Sequence, residues 1–100
     1  MTKHPKTLLT IVTEAVLEKA LVRDVRERGA QGWIVSEVHG AGREGVREGA
    51  WEADRTIELK VICDAPVADA IGEYVLATYA SNYSVAIWFS EVAVLRPERY

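Results

Sequence analysis

Residues 56-63 read TIELKVIC, and their alternation constrains this chain more than any other stretch. Successive side chains of a strand point to opposite faces. Ile57, Leu59, Val61 and Cys63 therefore share one face, while Thr56, Glu58 and Lys60 share the other. A strand of this kind belongs in a sheet that is packed on one side. The cover for that side is written on both flanks. Upstream, Leu17, Leu21 and Val25 recur every four residues with Ala20 beside them, and Glu18, Arg23, Asp24, Arg26 and Glu27 occupy other faces. That spacing predicts an amphipathic helix lying on a sheet. Thr13 is placed to cap it, Glu14 favours its positive end, and Gly29 is its stop. Downstream, Asp64 and Pro66 mark a second helix start. Its apolar stripe is Ala68, Ile71, Gly72, Val75, Leu76 and Tyr79.

The remaining strands follow from the same periods. Residues 8-13, LLTIVT, are β-branched and apolar and predict a strand after Pro5. Gly32 opens a second, WIVSEV at 33-38, and residues 83-90 predict a last one with Trp88 on its second face. Residues 91-95 continue extended as a short C-terminal strand until Pro97. The expected fold is α+β: a ferredoxin-like split βαβ, β-α-β-β-α-β, with a long loop after the second strand. Two helices cover one face of a four-stranded antiparallel sheet. The other face carries Trp33 or Ile34, depending on phase, with Ala86 and Trp88. It is a poor solvent surface, and burial against copies of the same chain is the natural solution. A monomer with a mixed open face is the alternative.

Length bounds the rest. One hundred residues suffice for a single domain, 1-100, with about half its residues apolar. A net charge of -3 and a pI near 5.4 argue against nucleic acid as a partner. Lys3, Lys6, Lys19 and Lys60 are the only lysines, so eight of the 12 basic residues are arginine, a bias suited to bidentate anion contacts. Cys63 is the one cysteine and reads as a small buried hydrophobe, which excludes a disulfide framework or a cysteine metal site. The start MTKHPKTLL lacks the pattern of a signal peptide, and no run reaches membrane-spanning length. Asn82-Tyr83-Ser84 matches a glycosylation sequon, which carries no meaning without export. The plain expectation is a cytoplasmic protein.

Catalytic constellations are poorly represented. His4 and His39 have no histidine three or four residues away, and Ser84 and Ser90 have no nucleophile elbow around them. Glu14, Glu18, Asp24 and Glu27 are spread over a helix surface, where carboxylates confer solubility. The segment VHGAGREGVREGAWEAD at 38-54 is richer. Gly40, Gly42 and Gly45 would expose backbone N–H groups to an anion at little steric cost, with Arg43 and Arg47 as charge-assisted donors. It is no P-loop, since GxxxxGK[ST] is missing. A solvated hairpin explains the glycines equally well. Trp51, inside the loop, suits contact with a partner surface or with its own subunit.

Three stretches, IVTEAVLEK at 11-19, GAQGWIVSEVHGAG at 29-42 and GVRE at 45-48, resemble the PII-like signalling proteins. The likeness is to the bicarbonate-transport and carboxysome-associated branch, and YASNYSVAIWFSEVAVL at 79-95 extends it more weakly. The resemblance implies a non-enzymatic homotrimer that binds adenine nucleotides in clefts between subunits. Residues 40-54 would be its regulatory loop. The implied effectors are ADP and AMP, with ATP and cyclic AMP also within the branch, and bicarbonate as a further ligand. The implied partner is a bicarbonate transporter or carboxysome-related protein, which would bring the protein to the inner membrane peripherally.

Carried over by position, Thr13 frames base and ribose, and Gly32, Trp33 and Ile34 line the adenine pocket. Gly40 and Gly42 open the loop, and Arg47 reaches phosphate. Arg43 falls one place before an arginine of the family pattern, at which this chain has Glu44. Asn82, Tyr83 and Ser84 supply the turn from the neighbouring subunit. Trp51 is assigned to partner binding. The loop lacks the modifiable tyrosine of nitrogen-regulating members, and the turn lacks their lysine, which implies a preference for AMP or ADP over ATP. The paired C-terminal cysteines of transporter-binding members are missing too. Two readings stand beside this one: a metal-binding trimer of similar fold, and a small ferredoxin-like isomerase or monooxygenase.

Overall fold

The computed structural model describes residues 1–42, 45–46 and 55–100. Strand β1 runs from His4 to Glu14, followed by a 3-10 turn at Ala15–Leu17 and helix α1 at Glu18–Glu27. Strand β2 is Ile34–Val38, and the two-residue strands β3 (Ala41–Gly42) and β4 (Gly45–Val46) pair with each other. Strand β5 is Thr56–Cys63, α2 is Ala65–Tyr79 and β6 is Val85–Val94. A 3-10 turn at Pro97–Arg99 ends the chain.

The main sheet has the order β2-β5-β1-β6, with every neighbour antiparallel. This is the split βαβ topology expected from the sequence. Leu9 and Ile11 of β1 meet Leu59 and Val61 of β5, Leu21 and Val25 of α1, and Ala68, Ile71 and Val75 of α2 in one buried cluster. Each such aliphatic side chain removed from water contributes about 1.5–3 kcal/mol. Gly72 lets α2 pack tightly on β6, since a Cβ there would come within 2.9 Å of the Phe89 ring. Gly29 ends α1 with φ at 110°, the left-handed conformation that glycine adopts without strain.

Several expectations are corrected. Strand β1 begins at His4, where it pairs with Val94, and it continues through Glu14. Thr13 therefore does not cap α1; a 3-10 turn intervenes and Leu17 holds the cap position. The C-terminal extended segment is not a separate strand, because β6 runs unbroken to Val94. Leu76 leaves the α2 stripe and is 57% exposed. Asp24, expected on the surface, is 1% exposed.

Register settles the phase of the open face. Ile34, Lys60, Thr10 and Trp88 are successive partners across all four strands and so share a face, opposite that of Leu9 and Leu59. Ile34, not Trp33, thus joins Ala86 and Trp88 on the uncovered side. Trp33 packs against the core cluster on the helix side, with the Arg26 guanidinium 5.9 Å from its ring centre.

Candidate functional site

The end of β1 is a junction for three segments. The Thr13 hydroxyl donates to the Ser84 carbonyl at 2.6 Å, and Thr13 is buried. The Ser84 N–H donates to Glu14 Oε2 at 2.7 Å. These two bonds fasten the turn before β6 to the central strand. One residue on, the Ala15 N–H donates to the Arg55 carbonyl at 2.8 Å, and Arg55 Nε pairs with Glu37 Oε1 at 2.9 Å. Glu37 and Arg55 flank the segment 39-54, so the same strand end is tied to the base of the loop. A hydrogen bond of this kind contributes about 1 kcal/mol net, and one to a charged group rather more.

The turn itself hangs from the last residues of α2. The Tyr79 carbonyl accepts the N–H groups of Asn82 and Tyr83 at 3.1 and 3.0 Å. The Tyr79 and Tyr83 rings meet edge to face, 6.3 Å between centres. The Tyr79 hydroxyl donates to Asp24 Oδ2 of α1. Burial, together with that bond, pushes the Tyr79 phenol up to about 12. A raised phenol favours the neutral form in the folded chain, so its stabilising effect is complete below pH 10 and lost as pH rises toward 12. The stability difference between the native chain and Tyr79→Phe, from urea unfolding, should shrink as pH rises across that window. A difference that stays constant there would mean that the folded chain does not favour the neutral phenol.

The expected site residues fall into two groups. Thr13, Asn82, Tyr83 and Ser84 come together beside β6. Gly32 and Ile34 lie at β2, the opposite edge of the sheet. Three strand spacings separate the two edges, about 14 Å. A Cβ on Gly32 or Gly40 would meet nothing within 4 Å, so packing inside the subunit does not require glycine at either position. Gly42 lies in the β3–β4 pair, facing Gly45 in register. Arg43, Arg47 and Trp51 lie outside the described residues. Glu14, Glu37, Arg55 and Tyr79 were not anticipated as parts of the site. Glu14 was read as a helix-start residue, and only its distance from the next helical turn could have hinted otherwise.

A groove of about 580 Å³ lies at the other end of β1, between Lys6, Asp64 and Glu91. The Lys6 ammonium already bonds Asp64 at 2.7 Å across it. Seven residues of extended chain, roughly 23 Å, separate Lys6 from Thr13. Among the described residues, no three His, Cys, Asp or Glu side chains gather as a metal site requires. No helix among them is long and apolar enough to cross a membrane.

A one-sided split βαβ sheet, with a long connection rooted beside a fastened turn, is the layout of the PII-like class. The model of the family described as nitrogen regulatory protein P-II matches residues 6–99, and the chain belongs to that family. Among solved structures, a protein classed as PII-like signalling from Thermus thermophilus is 35% identical. That match covers 100% of this chain and 99% of the other, with a TM-score of 0.86. CPII, a nitrogen regulatory PII-like protein from Thiomonas intermedia bound to ADP, AMP and bicarbonate, superposes with a TM-score of 0.87 at 19% identity. Coverage is 98% of this chain and 95% of CPII. A second CPII structure, bound to ADP and bicarbonate, gives 0.85 at 18% identity over 98% and 96% of the two chains. At these identities the likeness to CPII is one of fold.

Proposed function

We propose that the chain is a non-catalytic sensor of adenine nucleotides that works as a homotrimer. The separation of its two groups of site residues carries this reading. Ser84, just before the edge strand β6, is joined to Thr13 of the inner strand β1, while Gly32 and Ile34 lie at the opposite edge strand β2. A cleft that draws on both is shared between two copies in this reading, the edge of one against the edge of the next. Membership of the family over residues 6–99 and the ligands bound to CPII support adenine nucleotide as the occupant.

ADP and AMP are the favoured ligands, with ATP and cyclic AMP weaker. The turn at Asn82–Ser84 brings no cation, and the Ser84 N–H is already engaged by the Glu14 carboxylate. A carboxylate there opposes a third phosphate by simple charge repulsion. Bicarbonate, bound along with ADP and AMP in the CPII structure, is the further ligand. The regulatory loop, residues 40-54, carries the signal out, with Trp51 as the apolar anchor for the target. That target is a bicarbonate transporter or carboxysome-related protein, met in the cytoplasm or at the inner membrane face.

Calorimetry on the purified protein tests this reading. ADP and AMP should bind saturably and at least about tenfold more tightly than ATP, a difference of about 1.4 kcal/mol. Heats from all four nucleotides indistinguishable from dilution, with bicarbonate present or not, would overturn it.

A further inference from the structure

Asp24 has no place in the cleft described above, yet it is the one charged side chain in the buried set among the described residues. A carboxylate taken out of water is costly, and an apolar residue of similar size would pack the helices at least as well. Its partners suggest what it does instead. Oδ2 accepts the Tyr79 hydroxyl, and Oδ1 accepts from Arg23 Nε and the Arg23 terminal nitrogen at 3.4 and 3.2 Å. The Asp24 carbonyl accepts from Arg28 at 3.1 Å, and the Arg28 guanidinium lies 3.3 Å from the centre of the Tyr74 ring. Asp24 of α1 and Arg28, just past its end, thus grip Tyr79 and Tyr74 of α2, each pair spaced by little more than one helical turn.

Tyr79 is where α2 ends and the turn begins. Its carbonyl receives two successive N–H groups of the turn, and its ring abuts Tyr83, which is 36% exposed. The far end of the turn is held by Thr13 and Glu14. The turn is therefore strung between two fixed posts, one on β1 and one on Tyr79.

We propose that Asp24 and Tyr79 are positioning residues for the nucleotide-binding turn, setting the backbone at 82–84 and the outward face of the Tyr83 ring. The inference rests on the reading that this turn lines an adenine-nucleotide cleft. Asp24 touches no ligand and acts only through Tyr79. Without the hydroxyl bond, the last turn of α2 is free to unwind by a residue, and the two N–H groups on the Tyr79 carbonyl move with it.

Tyr79→Phe removes one oxygen and leaves the ring. Asp24→Asn keeps an acceptor for the hydroxyl and is the conservative rescue, and Asp24→Ala is a second disruptive variant. Cys63→Ala, in the core at the far end of β5, serves as a control for general loss of stability. Amide hydrogen exchange of Asn82, Tyr83 and Ser84 is measured without ligand, and ADP affinity by calorimetry. Tyr79→Phe and Asp24→Ala should speed exchange at those three amides selectively and weaken ADP about fivefold or more. Asp24→Asn should stay within about twofold of native, and Cys63→Ala should leave the three amides no faster than its own global opening requires. If both disruptive variants lower the urea midpoint but leave the turn amides and ADP affinity as in the native chain, the pair is helix packing and the proposal fails. If the native protein binds no ADP, the cleft reading fails by itself, and exchange in the ligand-free protein still decides whether Asp24 and Tyr79 set the turn.

Discussion

Light scattering in neutral buffer is expected to return three times the 11.1 kDa subunit mass for the native chain, and a single subunit mass for Trp88→Glu. The open face of the sheet is the reason. Trp88 and Ile34 lie in one row across it, 46% and 68% exposed in the lone subunit, with Leu8, Val12 and Ile62 on the same face in neighbouring rows. A tryptophan buries 150–250 Å² when covered, about 4–6 kcal/mol at 25 cal/mol per Å² if wholly removed from water, and roughly half that from its present exposure. Glutamate forfeits that gain and adds an unpaired charge, and closed symmetry repeats the loss in every copy. Nucleotide binding should disappear with the trimer if, as proposed, each cleft is shared between two copies. A native chain that stays monomeric at micromolar concentration would remove the assembly and the shared cleft together. A Trp88→Glu variant that keeps the native mass would show that another surface holds the copies together.

How much of this was legible without coordinates depends on the range of each residue's partners. Residues 56-63 state their strand outright, since alternation is a local property, and β5 has the expected bounds. Gly29 likewise ends its helix by a local conformational preference. Thr13 was misread because a threonine before a helical period looks the same whether it caps the helix or closes a strand. Its actual partner, Ser84, stands 71 residues away. Asp24 failed for a related reason. It sits three residues after Leu21 and seven after Leu17, on the margin of the apolar stripe, which was the one available signal. The general habit of carboxylates on helix surfaces outweighed that signal until Tyr79, 55 residues on, supplied a partner. The His4 end of β1 was missed because HPKT carries no β-branched or apolar run, and only pairing with Val94 makes it a strand. The site itself was half visible. Its residue types could be carried over by position, but nothing in one chain's order says that Gly32 and Ser84 lie on opposite edges of a sheet. Arg43, Arg47 and Trp51 lie beyond the described residues, and their roles rest on position and chemistry.

Arg47→Ala is expected to weaken ADP binding about tenfold or more while changing adenosine binding by less than about twofold. The contrast between the two ligands carries the argument. Arginine presents a planar set of donors that matches phosphate oxygens, and a hydrogen bond to a charged group contributes about 1.5–3 kcal/mol. Adenosine offers the same base and ribose with no phosphate, so an arginine that contacts only the phosphates is invisible to it. The turn at Asn82–Ser84 cannot substitute, because it holds no cation and its Ser84 N–H is committed to Glu14. Arg55, at the base of the same loop, pairs with Glu37 at 2.9 Å, which places its charge against a carboxylate. Arg47→Lys should recover only part of the loss, since an ammonium supplies charge without the bidentate fork. Calorimetry with ADP, AMP and adenosine on native, Arg47→Ala and Arg47→Lys proteins separates the possibilities. Equal weakening of ADP and adenosine would assign Arg47 to folding of the cleft rather than to phosphate. Unchanged ADP affinity would take it out of the site, and Arg43 would then be the loop arginine to examine.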